Sequence, residues 1–295
     1  MRNYPEATVI ARTAPANTTG TTVPMPATPI RLIALDLDGT LLRSDKRLSL
    51  RSVRAIAEAG ARGVHVVLAS ARPPRTVREL YRRLRLETLQ INYNGALVHD
   101  AHRRQHVRHT PMCHKLASRI VRFARKFDPH VVVSVEILDK WYTDRLDDTL
   151  PTETARQQGP DFVGPLDAFL HVPVTKLMLL APPERLRPLG EAVRKKFGAQ
   201  AGVLVSDRHL LQIVHPEVDK AAAVAWVAEE YGIPATQVMA IGDAPNDLGM
   251  LKWAGWGVAV GNAWPSVQDA ADVIVASNDD DGVAEAIHRF VLDRP

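Results

Sequence analysis

A run of four apolar residues that ends in two acidic ones constrains the fold of this chain more than any other segment. The run covers residues 32–35, and Asp36, Asp38 and Gly39 follow it. So short an apolar run, closed by a glycine that permits an abrupt turn, is typical of a strand buried on both faces of a parallel sheet. Side chains two positions apart on a strand share a face. Asp36 and Asp38 are therefore predicted to project together at the carboxyl end of this strand, where open parallel sheets bind ligands.

Two carboxylates at this spacing predict a site for metal-assisted phosphoryl transfer. Anions so close repel each other, and a hard cation such as Mg²⁺, bound through oxygen, relieves that repulsion. A carboxylate held in this way can attack phosphorus and form an aspartyl-phosphate. Its neighbour can donate a proton to the leaving group and later remove a proton from the water that hydrolyses the intermediate.

The pattern beyond this strand predicts alternating helices and strands. A helix is expected over residues 49–61, then a strand over 64–69 that ends at Ser70-Ala71-Arg72. A further helix follows, and a strand over 89–92 leads to Asn94. This order is typical of a doubly wound α/β core built around a parallel sheet.

The middle of the chain differs in character and is predicted to be an inserted domain. Its short strands and two helices form an α+β pattern. The core pattern resumes with a helix from Lys220 and a strand that runs into the turn 242–247. We therefore expect a catalytic core over residues 30–94 and 215–295, an inserted α+β cap domain over 95–214, and a disordered tail over 1–29.

The composition is that of an ordinary soluble globular protein. Of the 295 residues, 46% are hydrophobic and 24% are charged. No apolar stretch is long enough to span a bilayer, so no membrane partner is expected. The single Cys113 excludes an internal disulfide framework and a cysteine-based zinc site, and it favours a reducing compartment. Cytoplasm is the expected location, and the oligomeric state stays open.

The net charge of +4 raises the question of a polyanionic partner. The most basic segment, residues 72–85, has an apolar helical stripe made of Val77, Leu80, Tyr81 and Leu84. Its other face carries arginines with little aromatic interleaving, at positions Arg75, Arg78, Arg82 and Arg85. We interpret this face as a solvated helix surface and expect no nucleic-acid partner.

Further polar residues follow the other predicted core strands. Asp243 lies in the turn 242–247, at the carboxyl end of the strand over 237–241, and Asp247 lies one turn further. Ser70 ends another strand, and Lys220 opens the helix after the insert. Together these residues supply oxygen ligands for Mg²⁺, and a hydroxyl and an ammonium group that can hold phosphate oxygens.

The motifs resemble those of the haloacid dehalogenase superfamily of phosphohydrolases, and within it the Cof-type group with a large α+β cap. The matching segments are Asp36-Leu37-Asp38-Gly39-Thr40, Ser70, Lys220 and Gly242-Asp243-Ala244-Pro245-Asn246-Asp247. The resemblance covers about residues 31–292 and implies a Rossmann-like core. One departure concerns the second motif, which usually reads Thr-Gly-Arg and here reads Ser70-Ala71-Arg72. Serine retains the hydroxyl and alanine the backbone N–H, so we expect activity to survive.

The resemblance also implies a role for each matching residue. Asp36 is the implied nucleophile and a metal ligand, and Asp38 the general acid and base, with its backbone carbonyl on the metal. Asp243 is a further Mg²⁺ ligand, and Asp247 either a direct ligand or a support of the metal site. Contacts with the substrate are implied for Leu37, Ser70, Ala71, Arg72, Asn94, Lys220 and Asn246.

The expected function is a Mg²⁺-dependent phosphatase that hydrolyses a small phosphomonoester. By resemblance the substrate is a sugar phosphate, or a phosphorylated cofactor such as pyridoxal phosphate or a flavin mononucleotide. Fold and motifs do not choose among these compounds. Two alternatives remain open: a sugar phosphomutase of the same superfamily, and a catalytically silent binding or regulatory protein.

Overall fold

The computed structural model describes residues 25–150, 155 and 158–293. The tail predicted over residues 1–29 lies outside the described residues as far as residue 24. In the remaining part of that segment, Thr28 donates a hydrogen bond of 2.6 Å to the carbonyl of Thr236. The chain divides into two compact units, one made of residues up to 66 and from 225 onwards, the other of residues 67–224.

The first unit is organised around parallel strands. They are β1 (Leu32–Leu35), β12 (Val238–Gly242), β13 (Trp256–Ala259) and β14 (Val273–Ile274). A fifth strand, β2 (His65–Leu68), completes the sheet, whose strand order is β14-β13-β12-β1-β2. The boundary between the two units falls within β2. Leu32 pairs with Val238 in parallel register. All four residues of β1 are buried, as expected of a strand that is covered on both faces.

Helices complete this unit. They are α1 (Leu50–Ala61), α6 (Leu248–Trp253), α7 (Pro265–Gln268) and α8 (Gly282–Ile287), and the described chain ends in a π-helical turn over His288–Leu292. The α1 helix begins where Ser49 Oγ accepts a hydrogen bond of 3.0 Å from the amide of Ser52. It packs against α8 in the three-dimensional structure.

The second unit begins with the end of β2 and contains α2 (Pro74–Leu84), a three-stranded antiparallel sheet and a six-stranded sheet. The small sheet consists of β3 (Leu89–Asn92), β4 (Leu97–Asp100) and β5 (Gln105–His109). The α5 helix (Lys220–Glu230) starts in this unit and crosses into the first.

The six-stranded sheet has the order β10-β11-β9-β6-β7-β8 and is antiparallel except for the β7/β8 pair. Its strands are β6 (Val132–Ile137), β7 (Lys140–Thr143), β8 (Phe162–Val163), β9 (Lys176–Leu180), β10 (Gly202–Asp207) and β11 (Leu210–Val214). Two helices, α3 (His114–Phe127) and α4 (Pro183–Phe197), share a hydrophobic core with one face of the sheet. Alternation along β6 places Val133 in this core and Val132 in a cluster on the other face.

The predicted fold class is confirmed: a parallel α/β core with an inserted α+β domain. The predicted domain boundaries at residues 94/95 and 214/215 stay a prediction. Two short elements were not expected from the sequence, namely β8 and α7. Among the described residues, no helix is long and apolar enough to cross a membrane.

Two arginines of α2 and one directly after it are exposed as the sequence indicates, but the prediction for Arg75 was wrong. Arg78, Arg82 and Arg85 are exposed. The side chain of Arg75 is only 8% exposed, because Glu136 of β6 pairs with its guanidinium. The helical pattern of α2 by itself contains no sign of this remote partner.

Candidate active site

Three carboxylates of the first unit come together at the carboxyl ends of two adjacent parallel strands. Asp36 directly follows β1, and its amide donates a hydrogen bond of 3.1 Å to the carbonyl of Ile241 in β12. Asp243 directly follows β12, and Asp247 lies on the next turn. Each of the three residues offers one carboxylate oxygen, and these oxygens all lie within 4.8 Å of one another. A set of carboxylate oxygens this close suits a hard divalent cation.

Asp247 is held in place by the turn that carries it. Its Oδ2 atom accepts hydrogen bonds from the amides of Asp243, at 3.1 Å, and Ala244, at 3.0 Å. The side chain is fully buried, and these two donors offset part of the desolvation of the carboxylate. A Cβ atom on Gly242 would lie 2.6 Å from the Asp247 Cβ, so only glycine fits at this position.

Asp243 is oriented by the segment that follows Asp36. Its Oδ1 accepts a hydrogen bond of 2.8 Å from the Thr40 hydroxyl. Gly39 has a φ of +85°, and a Cβ atom there would lie 2.5 Å from Asp243 Oδ2. The glycine is therefore needed for two reasons: the left-handed backbone conformation and the close approach of the carboxylate.

Asp38 does not belong to this group of three carboxylates. Its Oδ1 lies 2.8 Å from the Nζ atom of Lys46. Both side chains are partly exposed, at 37% for Asp38 and 50% for Lys46, so the ion pair contributes little to stability. The carboxylate of Asp38 is therefore partly accessible to solvent, as a group that exchanges protons with a ligand must be.

Asparagine side chains hold the loop that follows β1. Asn262 Nδ2 donates to the Gly39 carbonyl at 2.8 Å, and the buried Asn278 Nδ2 donates to the Leu42 carbonyl at 2.9 Å. The two asparagines are linked to each other, because the Asn278 amide donates to Asn262 Oδ1 at 2.9 Å. The loop that carries Asp38 is thus fixed by residues far away in the sequence.

In the second unit, Ser70, Arg72 and Asn94 form a compact loop region. The Ser70 amide donates to the carbonyl of Ile91 at 2.9 Å, and the Asn94 amide donates to the Ser70 carbonyl at 3.0 Å. Ser70 Oγ accepts a hydrogen bond of 3.1 Å from the amide of Arg72. Ala71 lies between them in the turn. These three predicted substrate-binding residues are therefore neighbours in the structure.

Lys220 lies at the first position of α5, and its side chain is buried. Asp219 caps this helix, since its Oδ1 accepts hydrogen bonds from the amides of Ala221 and Ala222. A Cβ atom on Gly95 would lie 2.4 Å from the Asp219 carbonyl oxygen. The start of α5 therefore lies directly against the segment that follows Asn94.

Two further predicted residues differ in how they can meet a substrate. The Leu37 side chain is fully buried, so only its backbone is available for such a contact. Asn246 is exposed on the 3₁₀ turn between Asp243 and Asp247.

Sequence reasoning assigned no role to Thr40 or Lys46. Thr40 lies within the first motif, but no pattern in the sequence points from its hydroxyl to a residue 203 positions away. Nothing in the sequence distinguishes Lys46 from the other lysines that are expected on the surface. Its contact with Asp38 depends on the turn over residues 43–47, in which Lys46 itself has a φ of 63°.

Comparison with known proteins shows which family this chain belongs to. The profile of the haloacid dehalogenase-like hydrolases matches residues 33–287. The chain belongs to this family. A Bacillus subtilis relative named 5-amino-6-(5-phospho-D-ribitylamino)uracil phosphatase YitU is 30% identical over 266 residues, which cover 88% of this chain and 97% of the relative. The Escherichia coli pyridoxal phosphate phosphatase YbhA is 28% identical over 275 residues, with coverage of 89% and 99%.

A solved structure supports the same assignment. The crystal structure of a haloacid dehalogenase-like hydrolase from Bacteroides thetaiotaomicron matches with a TM-score of 0.80 and 30% identity, covering 88% of this chain and 99% of that one. The resemblance inferred from the motifs is therefore confirmed. As a haloacid dehalogenase-like hydrolase with phosphatase relatives over almost its whole length, the protein is an enzyme of the phosphoric monoester hydrolase class.

Proposed function

We propose that the protein is a Mg²⁺-dependent phosphatase that hydrolyses a small phosphomonoester through an aspartyl-phosphate on Asp36. The observation that carries this proposal is the convergence of the Asp36, Asp243 and Asp247 carboxylates, with ligand atoms within 4.8 Å of one another. An all-oxygen donor set fits Mg²⁺ better than it fits a softer metal. When bound, Mg²⁺ neutralises charge on the oxygens of the transferred phosphoryl group.

In the first half of the proposed reaction, an Asp36 carboxylate oxygen attacks the phosphorus atom. The bond between phosphorus and the ester oxygen breaks, and Asp38 gives its proton to that oxygen so that an alcohol leaves. In the second half, Asp38 as a carboxylate removes a proton from water, and the water oxygen attacks the same phosphorus. Asp36 is released together with inorganic phosphate.

The remaining predicted residues bind and orient the phosphate group in this proposal. Ser70 and Asn94 present polar groups from adjacent loop positions, and Lys220 provides a positive charge. Arg72, Ala71, Leu37 and Asn246 contribute further contacts, from the backbone in the case of Leu37. The inserted domain supplies contacts with the leaving group and so sets the specificity.

The relatives indicate which substrates to examine first. Two of them are named for a phosphorylated ribitylaminouracil and for pyridoxal phosphate, and both compounds are small phosphomonoesters. Sugar phosphates and flavin mononucleotide complete the set of candidates. The single cysteine supports a cytoplasmic location, where such metabolites occur.

The test is release of inorganic phosphate from this panel with Mg²⁺ or with EDTA. Asp36→Asn is compared with Asp45→Asn, which makes the same chemical change at an exposed position nine residues further along the same loop. We expect release that requires Mg²⁺, is abolished by Asp36→Asn and is unaffected by Asp45→Asn. Trapping of a phosphorylated Asp36 peptide after acid quenching would identify the nucleophile directly.

Other results would contradict the proposal in distinct ways. Isomerised sugar phosphate without free phosphate identifies a phosphomutase. Absence of turnover with every compound in the panel, in the presence of Mg²⁺, favours a silent binding protein. Equal release by Asp36→Asn and the native enzyme excludes Asp36 as the nucleophile.

A further inference from the structure

A buried ion pair joins α2, the helix that follows Ser70-Ala71-Arg72, to the six-stranded sheet of the inserted domain. Arg75 Nη1 and Nη2 donate to Glu136 Oε2 and Oε1, both at 2.8 Å. The two side chains are 8% and 1% exposed. Burial lowers the pKa of the Arg75 guanidinium, but the hydrogen bonds and charge of Glu136 outweigh this and hold that pKa above its usual value. The Arg75 guanidinium therefore stays charged although it is buried.

The hairpin formed by β6 and β7 also caps α2. The residue before α2 is Pro73, which makes no side-chain capping hydrogen bond, and the first position of the helix is also a proline. Instead, Asp139, in the turn between β6 and β7, accepts a hydrogen bond of 2.9 Å from the Arg75 amide. A carboxylate at a helix N-terminus satisfies a free amide and interacts favourably with the helix dipole. The β6–β7 hairpin thus holds both the backbone and the side chain of Arg75.

Tyr93 connects this network to Asn94. Its hydroxyl lies 3.0 Å from Glu136 Oε2, 2.8 Å from the Leu138 carbonyl and 3.3 Å from Arg75 Nη1. Tyr93 has a φ of 52° and Asn94 a φ of 56°. Left-handed backbone is unfavourable for a bulky aromatic residue and persists only where surrounding contacts enforce it. The buried hydroxyl contacts with the hairpin are such contacts.

Both ends of the Ser70–Arg72 turn are therefore attached to this network. On one side Arg72 leads into α2 and Arg75. On the other side the Tyr93 amide donates to the Arg72 carbonyl at 3.3 Å, and the Asn94 amide donates to the Ser70 carbonyl. Displacing Glu136 would remove the bidentate partner of the Arg75 guanidinium and one acceptor of the Tyr93 hydroxyl at the same time.

We infer that Glu136 is a positioning residue for phosphate binding: through Arg75 and Tyr93 it fixes Ser70, Arg72 and Asn94 in the arrangement that receives the phosphate group. The inference rests on the proposed function, because it assigns phosphate contacts to that turn. Stability alone is a weak reason for such a pair, since apolar residues of similar volume often stabilise a core as well as buried ions do. Geometry is a better reason, because a bidentate pair defines the distance and the angle between α2 and β6.

The main variant is Glu136→Gln, which keeps the size of the side chain and removes its charge. Its control is Lys140→Ala, which breaks the exposed pair between Lys140, in the same hairpin, and Asp161, directly before β8. We expect Glu136→Gln to raise both KM and the inhibition constant of inorganic phosphate about tenfold, with a smaller fall in kcat, because small displacements of binding groups are costly. Lys140→Ala should leave all three values within about twofold.

Hydrogen exchange provides a measurement that does not depend on turnover. In Glu136→Gln the amides of Ser70 and Asn94 should exchange at least about tenfold faster than in the native protein, while amides in β11, which does not pair with β6, keep their native rates. If the native enzyme releases no phosphate, the proposed function fails, and faster exchange at these two amides would still establish the coupling. Native exchange at both amides, or an unchanged inhibition constant for phosphate, overturns the inference.

A second variant keeps the inference open to refutation if Glu136→Gln does not fold. Tyr93→Phe removes only the hydroxyl and retains the ring, over which Lys176 Nζ lies at 5.0 Å. We expect the inhibition constant of phosphate to rise in the same direction by about threefold, with faster exchange at the Asn94 amide. A Tyr93→Phe enzyme that matches the native one in both measurements would overturn the role of the network.

Discussion

Thr40 donates a hydrogen bond of 2.8 Å to Asp243, a residue 203 positions further along the chain. This contact joins the loop after β1 to the loop after β12 at the position where three carboxylates meet. Groups that hydrogen-bond to metal ligands fix their orientation, and their loss commonly weakens metal binding by about ten- to a hundredfold.

Thr40→Val is accordingly expected to raise the Mg²⁺ concentration required for half-maximal activity about tenfold, because valine has the shape of threonine without its donor. Thr40→Ser keeps the hydroxyl and serves as the control, with a Mg²⁺ requirement close to that of the native enzyme. Titration of activity with Mg²⁺ measures the effect. Equal requirements for the valine and serine variants would show that the hydrogen bond has no part in metal binding.

Asp38→Asn is expected to impair the hydrolysis of esters according to their leaving groups. A general acid contributes about 10²–10⁴-fold, and the contribution is needed most where the leaving oxygen is strongly basic. The loss in kcat/KM should therefore be large for an alkyl ester such as a sugar phosphate and much smaller for 4-nitrophenyl phosphate. A uniform loss for both substrates would contradict a role for Asp38 in protonating the leaving group.

Gly39→Ala is expected to abolish most activity, since the added methyl group would lie 2.5 Å from Asp243 Oδ2 on a backbone with a φ of +85°. Gly60→Ala is the matched control. Gly60 is in α1 with no atom within 4 Å of the added Cβ, so alanine should stabilise the protein by about 0.5–1 kcal/mol and leave turnover unchanged. Activity assays and urea unfolding of both variants measure the contrast.

Asn278→Ala is expected to destabilise the protein by about 1–3 kcal/mol, because the buried carbonyl of Leu42 loses its donor. Gln268→Ala removes an exposed hydrogen bond to the Gly261 carbonyl and should cost less than about 0.5 kcal/mol. Urea unfolding compares the two. If both variants lose a similar amount of unfolding free energy, burial of the hydrogen bond to the Leu42 carbonyl does not increase its contribution to stability.

We expect His109 to make the inserted domain sensitive to acid. Burial, together with the charge of nearby His106, lowers the pKa of His109 from 6.5 to about 4. Between these values the unfolded chain binds a proton that the folded protein does not bind, so this contribution to stability is present above pH 6.5 and falls as the pH drops towards 4. His109 Nε2 lies 2.9 Å from Thr175 Oγ1, a contact that glutamine can also make.

His109→Gln should therefore lose less thermal stability than the native protein between pH 7 and pH 4.5. Scanning calorimetry at several pH values measures the difference. His102→Gln, on the exposed turn between β4 and β5, controls for the loss of one imidazole. If both variants lose stability with the same slope as the native protein, His109 is not the source of the acid sensitivity.

Local sequence was sufficient to predict most of the fold. The apolar run of β1 is buried as its composition indicates, and the spacing of Asp243 and Asp247 corresponds to a single turn after β12. In each case the neighbours that decide the conformation are only a few residues away, so the pattern is visible in the sequence. The short α7 and β8 were missed, because elements of two to four residues have too few positions to show a period.

The roles of single side chains depended more on distant partners. Arg75 has the sequence context of a solvated arginine, yet Glu136, 61 residues away, buries it in a charge pair. Lys46 belongs to no recognisable motif, yet its ammonium group pairs with the carboxylate of Asp38. The sequence placed Thr40 within a motif, but it did not indicate that the Thr40 hydroxyl donates to Asp243.

The sequence by itself determined the family, the order of the longer helices and strands, and the identity of the acidic residues at the ends of the core strands. These properties follow from periodicity, turn residues and motif spacing, which act over short distances along the chain. Only the tertiary structure decided which polar groups pair with one another, and hence that Glu136 holds Arg75 and that Thr40 holds Asp243. A hydrogen bond requires a donor and an acceptor to approach within about 3 Å, and folding brings together residues whose separation in the sequence carries no record of that approach.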